Sequence, residues 1–261
     1  MYIIDVHSHV YPDAIAHKAA ASIRDFYHIG DVELDGSVSE LLRLGDAAGI
    51  SHFVVLPVGL KPGHVRHINE FILQQVAAQP RFTGFGTIHA GMEDLAEETQ
   101  WILNQGFHGI KMHPDSQIFA IDDPRLFPAY EQLQGKLPVM LHMGDTRYDY
   151  SHPARLRHVL ELFPKLDVIA AHFGGYSMYE IAYENLKDTD CVFDISSSLM
   201  FMPEGVAEKY INSYGAERML FGTDFPLWDP TVEVRRFQQL KLTADQFDHI
   251  AHKTAQRLLG I

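Results

Sequence analysis

Eight short segments rich in β-branched and other apolar residues recur along the chain, and this alternation constrains the fold more than any other feature. The stretches between them carry apolar residues at three- and four-residue spacing, which is typical of amphipathic helices. Strands that alternate with helices predict βαβ units and therefore a parallel sheet. The predicted strands cover residues 3–7, 52–57, 82–88, 109–113, 138–142, 167–172, 192–195 and 219–224.

The strand count and the chain length together favour a closed barrel over an open sheet. The chain has 261 residues, close to the roughly 250 of one barrel of eight strands and eight helices. An open dinucleotide-binding sheet would carry a Gly-x-Gly-x-x-Gly turn after its first strand, and residues 7–12 contain no glycine. We therefore expect an α/β fold, a single (β/α)₈ TIM barrel of one domain over residues 1–261, with a functional site at the carboxyl ends of its strands.

Capping signals mark two of the predicted helices. Ser37 with Glu40 fits a capping box, in which the serine hydroxyl accepts from a free amide and the glutamate reaches back. Gly49 is expected to end that helix. Thr243 with Gln246 gives a similar signal at the start of the last helix.

The composition excludes several classes of partner. The 34 acidic and 21 basic residues give a formal net charge of −13, which disfavours binding to nucleic acid and to anionic membranes. No apolar stretch approaches the roughly 20 residues of a membrane span. The single cysteine, Cys191, forms no internal disulfide, and no signal-peptide pattern precedes the first strand. We expect a cytoplasmic protein with a small-molecule substrate, and the sequence leaves homo-oligomerisation open.

Several predicted strands end in residues that can bind a metal ion or transfer a proton. Because the chain contains 16 histidines, one strand-end histidine alone means little. A purely structural origin is improbable for the whole set, since close imidazoles without a partner are costly to bury. The strand-end residues are His7, His9, His113, His142, His172 and Asp224.

At these strand ends the sequence resembles the amidohydrolase superfamily. The resemblance spans the chain and is nearest to the amidohydrolase 2 branch, which contains small metal-dependent hydrolases and decarboxylases of the aminocarboxymuconate-semialdehyde and resorcylate type. Near the carboxyl terminus, Lys253-Thr254 stands where the branch usually has Gly-Asn. The matching segments are residues 5–9, 141–144, 171–175, 221–226 and 255–260.

The resemblance implies that His7, His9, His142 and Asp224 bind one divalent metal ion. His172 would then act beside the metal-bound water as a general base or electrophile, with Asp224 as the second catalytic residue. Neutral imidazoles and a carboxylate suit Zn²⁺ best, with Mn²⁺ or Fe²⁺ as alternatives. An ion with an open position activates water and polarises a carbonyl oxygen.

Three further residues are predicted to contact the substrate. Lys111 and His113 share one face of the fourth strand, and Arg147 could clamp a substrate carboxylate. The alternatives are a carboxylated Lys111 that bridges two metals, a buried ion pair of Lys111, and a solvated Arg147. A mononuclear site is favoured.

Two reactions fit such a site. The first is hydrolysis of a small lactone, ester or amide by a metal-activated water. The alternative is nonoxidative decarboxylation of a small aromatic or muconate-like acid. A non-catalytic metal- or ligand-binding barrel is a third hypothesis. We expect residues 11–35, which have no regular pattern, to cover the barrel mouth and shape specificity.

Overall fold

In the computed structural model, which describes residues 2–30 and 33–261, nine short parallel strands form the eight predicted strands of the barrel. The third predicted strand is interrupted at Phe85, whose amide still donates to the carbonyl of Val55 (3.1 Å). Residues 1, 31 and 32 lie outside the described residues. All three belong to the predicted domain, and residues 31 and 32 also belong to the segment predicted to cover the barrel mouth. The strands are β1 Ile4–Ser8, β2 His52–Val55, β3 Phe82–Gly84, β4 Gly86–Thr87, β5 Ile110–Met112, β6 Val139–Leu141, β7 Val168–Ala170, β8 Val192–Asp194 and β9 Met219–Leu220.

Hydrogen bonds between the first and last strands close the ring. Each strand pairs in parallel with the next along the chain, from β1 to β3 and from β4 to β9. At the seam, the amide of Val6 donates to the carbonyl of Phe221 (2.9 Å), and the amide of Asp224 donates to the carbonyl of His7 (2.7 Å). The predicted barrel is therefore confirmed, and its first and eighth strands lie side by side.

Helices connect the strands around the outside of the ring, as the periodicity predicts. None of the helices in the described residues is long and apolar enough to cross a membrane. The helices are α1 Ala16–Tyr27, α2 Val38–Ala48, α3 Val65–Ala78, α4 Leu95–Asn104, α5 Pro114–Gln117, α6 Phe127–Leu133, α7 Pro153–Leu162, α8 Tyr179–Leu186, α9 Val206–Tyr214, α10 Pro230–Gln239, α11 Ala244–Asp248 and α12 Thr254–Leu259, with a π-helical turn at His249–Lys253 between the last two.

One of the two predicted capping boxes is complete, and the other is half formed. Thr243 and Gln246 cap α11 reciprocally. At α2 the hydroxyl of Ser37 accepts from the amide of Glu40 (3.1 Å), but the glutamate carboxylate accepts from the amide of Asp35 instead of Ser37. The second half of the prediction at Ser37 is wrong because Asp35 itself accepts from the amide of Ser37 (2.7 Å).

Apolar side chains fill the space on both faces of the strands. The larger cluster packs the helices against the outside of the ring. A second cluster joins strand residues such as Met140 and Leu220 to Ala255 and Leu259 of α12. Because Met140 is the register partner of Lys111, both project from the same, inner face of the sheet. The barrel interior thus has an apolar part and a polar part.

Candidate active site

A cavity of about 460 Å³ opens at the carboxyl ends of the strands. Apolar side chains from α1 and from the loops after β2 and β9 line its walls. Its deep polar residues are strand-end residues predicted from the sequence. They are His7, His9, His113, His142 and Asp224.

His7, His9 and Asp224 converge on a common point. Nε2 of His7 and Nε2 of His9 each lie 3.5 Å from Oδ1 of Asp224. Two ligands bound about 2.1 Å from one tetrahedral ion are separated by about 3.4 Å. Both separations from Asp224 therefore suit ligands of one shared divalent cation.

The outer nitrogens of the first two histidines fix the tautomers that a metal requires. Nδ1 of His7 lies 2.9 Å from Oδ2 of Asp194, and Nδ1 of His9 lies 2.8 Å from the carbonyl oxygen of Leu56. Carboxylate and carbonyl oxygens only accept, so each Nδ1 carries the proton and each Nε2 presents a lone pair. Orientation of a ligating histidine through its second nitrogen is common at metal sites.

Two consecutive hydrogen bonds, through His172 to a backbone carbonyl, orient His142. Nδ1 of His172 donates to the carbonyl of Ser196 (3.0 Å), which leaves Nε2 of His172 to accept from Nδ1 of His142 (3.0 Å). The lone pair on Nε2 of His142 then faces the cavity. A second group that could hold a metal contains His142 together with His113 and Asp115, separate from the trio.

The charge states of these groups suit a cation. Burial lowers the pKa of His7 to about 4, with nearby Lys111 adding to the effect, and burial likewise holds the pKa of His142 well below its usual range. Burial opposes ionisation of Asp224, but the adjacent His7 and His9 hold the pKa of its carboxyl well below the ordinary value. His7 and His142 therefore offer neutral imidazoles and Asp224 an ionised carboxylate, which are the forms that bind a divalent metal.

Asp224 is held by Ser197 and, through it, by Trp228, and the sequence did not link either residue to this aspartate. Its Oδ2 accepts from the hydroxyl of Ser197, which in turn accepts from Nε1 of Trp228 (2.8 Å). Asp224 also has a positive φ of 59°, a conformation that non-glycine residues adopt rarely and that is frequent at functional sites. One carboxylate oxygen is thereby anchored while the other faces His7 and His9.

Lys111 lies deeper than a substrate-binding residue would. It is fully buried, its Nζ is 3.1 Å from Nε2 of His7, and it is absent from the cavity lining. Burial lowers the pKa of Lys111 to about 8, against the opposing effect of Asp194 and Asp224. Its position supports contact with the histidine cluster, and its role toward substrate stays a prediction.

His113 and Arg147 differ in their access to the cavity. His113 lines the cavity and stacks on His142 with ring centroids 3.9 Å apart. Arg147 is not among the lining residues, and its guanidinium pairs with Asp145 (2.6 Å) and donates to the carbonyl of Phe26. These contacts indicate that Arg147 holds α1 in place, and they favour this role over contact with substrate.

The sequence reasoning missed Asp194, Ser197 and Tyr27. Asp194 ends β8, so the strand-end criterion that selected Asp224 could have found it. Ser197 lies beyond that strand in a run of serines with no distinguishing pattern. Tyr27 ends α1 inside the stretch without regular pattern, and no signal in the sequence marks it.

Comparison with known proteins agrees with this architecture. A family model described as "Amidohydrolase" matches residues 4–261. An uncharacterized TIM-barrel protein from Bordetella bronchiseptica is similar, with a TM-score of 0.83, 24% identity and coverage of 100% of this chain and 99% of that one. A 5-carboxyvanillate decarboxylase from Sphingomonas paucimobilis is similar with a TM-score of 0.79 and 17% identity, and the match covers 100% of this chain and 99% of that one. A dihydroxybenzoic acid decarboxylase from Polaromonas was solved with bound manganese and the inhibitor 2-nitroresorcinol. It is similar with a TM-score of 0.76 and 19% identity, and the match covers 99% of this chain and 96% of that one.

Proposed function

Because the chain belongs to the amidohydrolase family, we propose that it is a metal-dependent enzyme that decarboxylates a small aromatic acid without an oxidant. His7, His9, His142 and Asp224 hold one divalent ion in this proposal. The observation that carries it is that all four line one cavity with largely apolar walls, where His7, His9 and Asp224 lie close enough together to share an ion. Solved decarboxylases of similar fold support the reaction class, and bound manganese in one of them supports a divalent ion.

The apolar walls favour decarboxylation over hydrolysis. Loss of CO₂ transfers negative charge from a carboxylate to a ring carbon, and removal of water from the carboxylate assists that transfer. Side chains such as Ile23, Phe26 and Leu227 line the cavity and exclude water from a bound ring. Hydrolysis of a lactone, ester or amide, the first expectation from the sequence, would use the same ligands but needs a water at the reacting carbon.

Each site residue has a defined task in the proposed reaction. The ion, when bound, would draw electron density from substrate oxygens. The bond between ring and carboxylate breaks, its electron pair stays on the ring carbon, and a proton replaces CO₂ there. Asp224 is the acidic residue among the described lining residues and is ionised at rest, so it would first take up a proton from solvent and then pass it to the ring carbon as CO₂ leaves. His172 lies behind His142 and positions it.

Two substitutions and a product measurement test the proposal. We expect His142→Ala to lose bound metal and activity, because it removes a ligand. His172→Asn should weaken metal binding about 10-fold, because His142 loses the group that orients it, and at saturating metal it should still lose turnover by about 100-fold or more. Metal content of the purified variants and CO₂ release from hydroxylated benzoic acids are measured, with exposed His67→Ala as the matched control.

Three outcomes would contradict the proposal. Full activity in His142→Ala would show that His142 is not a ligand of an essential metal ion. Product formation with uptake of water and without CO₂ favours the hydrolase. Stoichiometric metal with no turnover across carbonyl and carboxylic acid substrates favours the non-catalytic barrel.

A further inference from the structure

Helix α1 forms one wall of the cavity, outside the ring of strands. Ala19, Ile23 and Phe26 line the cavity and follow one another at four- and three-residue spacing, so they share one helix face. Tyr27, at the end of the helix, also lines the cavity. This part of the predicted mouth cover is confirmed for the residues that the structure describes.

Arg147 holds the end of α1 in place. Its Nη1 donates to the carbonyl of Phe26, while two of its nitrogens bind the carboxylate of Asp145. The guanidinium carbon also lies 4.8 Å from the ring centroid of Phe26, within the range of a cation–π contact. Tyr27, the next residue, is thereby held at a fixed place above the histidines.

The hydrogen bonds of His113 determine where the hydroxyl proton of Tyr27 points. Nδ1 of His113 accepts from the amide of Ser116 (3.3 Å), so this nitrogen carries no proton. The ring proton therefore lies on Nε2, which donates to the oxygen of Tyr27 (2.6 Å). The proton of Tyr27 must then point to a different acceptor.

That other acceptor is also the predicted metal ligand. Within the described ranges, Nε2 of His142 is the second atom in hydrogen-bond range of the Tyr27 hydroxyl, at 3.4 Å. If this nitrogen binds the metal ion, its lone pair is no longer available. Tyr27 then presents a free donor to whatever occupies the cavity beside the ion.

We propose that Tyr27 binds substrate through its hydroxyl, which donates a hydrogen bond to an oxygen beside the metal-bound end of the molecule. The apolar face of α1 covers the hydrocarbon part of the same molecule. We take that oxygen to be a ring substituent next to the carboxylate of the aromatic acid proposed above. This inference rests on the proposed function, because it requires the metal at His142.

Binding of two ligands that differ by one oxygen tests the role of Tyr27. Isothermal titration calorimetry measures Kd for 2-hydroxybenzoate and benzoate with Mn²⁺-loaded wild type and Tyr27→Phe. We expect the wild type to prefer 2-hydroxybenzoate roughly 2- to 13-fold, the range that one neutral hydrogen bond gives. Tyr27→Phe should abolish this preference and leave the Kd for benzoate within about twofold, since the ring and its packing remain.

Tyr148→Phe is the matched control, because Tyr148 stacks on Phe26 (5.9 Å between centroids) but is not a lining residue. It should keep the preference. An unchanged preference in Tyr27→Phe overturns the inference, as does a wild type that binds Mn²⁺ and neither acid. CO₂ release is measured separately. If the wild type releases no CO₂ but Tyr27→Phe still abolishes the preference for 2-hydroxybenzoate, the proposed reaction is rejected and the role of Tyr27 is retained.

Discussion

At the scale of single residues, the hydroxyl of Ser197 decides how Asp224 faces the cavity. It donates to Oδ2 of Asp224 and leaves Oδ1 toward the histidines. We expect Ser197→Ala to weaken Mn²⁺ binding about 10-fold, the lower end for loss of a group that orients a ligand. Calorimetric titration with Mn²⁺ measures the affinity, and Ser213→Ala, an exposed helical serine that donates to the carbonyl of Lys209, is the control. Equal affinity in both variants would show that Ser197 does not position Asp224.

Residues at strand ends were predictable from the sequence, and those that orient them mostly were not. His7, His9 and Asp224 could be placed together because parallel strands carry their carboxyl ends to one rim. Tyr27 lacks any such constraint, since its position depends on a helix outside the ring and on the contact between Arg147 and Phe26. Contacts between distant segments of this kind leave no periodic pattern in the chain.

At the scale of elements, Glu233 links the stability of α10 to pH. Its side chain is 2% exposed and pairs with Arg236 one turn later. Burial nevertheless raises the pKa of Glu233 to about 7 from 4.5. The folded state therefore binds this proton more tightly than the unfolded chain, and the free energy of unfolding decreases as pH rises from about 4.5 to about 7. That loss is on the order of 3 kcal/mol.

Glu233→Gln should remove this dependence, because the amide does not titrate and still accepts from Arg236. Urea unfolding at pH 5 and pH 8 measures the change, and the variant should gain stability relative to wild type only at the higher pH. Exposed Glu131→Gln on α6 serves as the control and should follow the wild type. A parallel pH response of wild type and Glu233→Gln would contradict the assignment.

The regular elements were more predictable than the connections between them. Each predicted strand overlaps at least one observed strand, because buried parallel strands read as short continuous apolar runs. Helix α1 was not predicted, since its face toward the cavity mixes Ala19, Ser22 and Lys18 with larger apolar residues. Its buried residues are only Ala16 and Ala20, and no side chain in the described part of the chain caps its first turn, so it lacks the start signal from which a helix is predicted.

At the scale of the whole molecule, a metal bound at this site would stabilise the junction between the first and last strands of the barrel. The proposed ligands lie at the ends of β1, β6 and β9, and β1 meets β9 only through hydrogen bonds and packing. Free Mn²⁺ at 100 times its Kd should add about 2.7 kcal/mol to the free energy of unfolding. For a chain of this size we expect Tm to rise by about 5–10 °C. Calorimetric melting tests this: His67→Ala should retain the shift, and an undiminished shift in His7→Ala would contradict the ligand set.

Helix α1 lies outside the ring that carries the proposed metal ligands, so the proposed chemistry and the proposed choice of substrate occupy separate stretches of chain. Sequence change in α1 can alter which acid is accepted while the ion and its ligands stay in place. Divergence among related barrels should accordingly concentrate in this helix. A chimaera that receives the corresponding segment of a related barrel should inherit the donor's preference along with it.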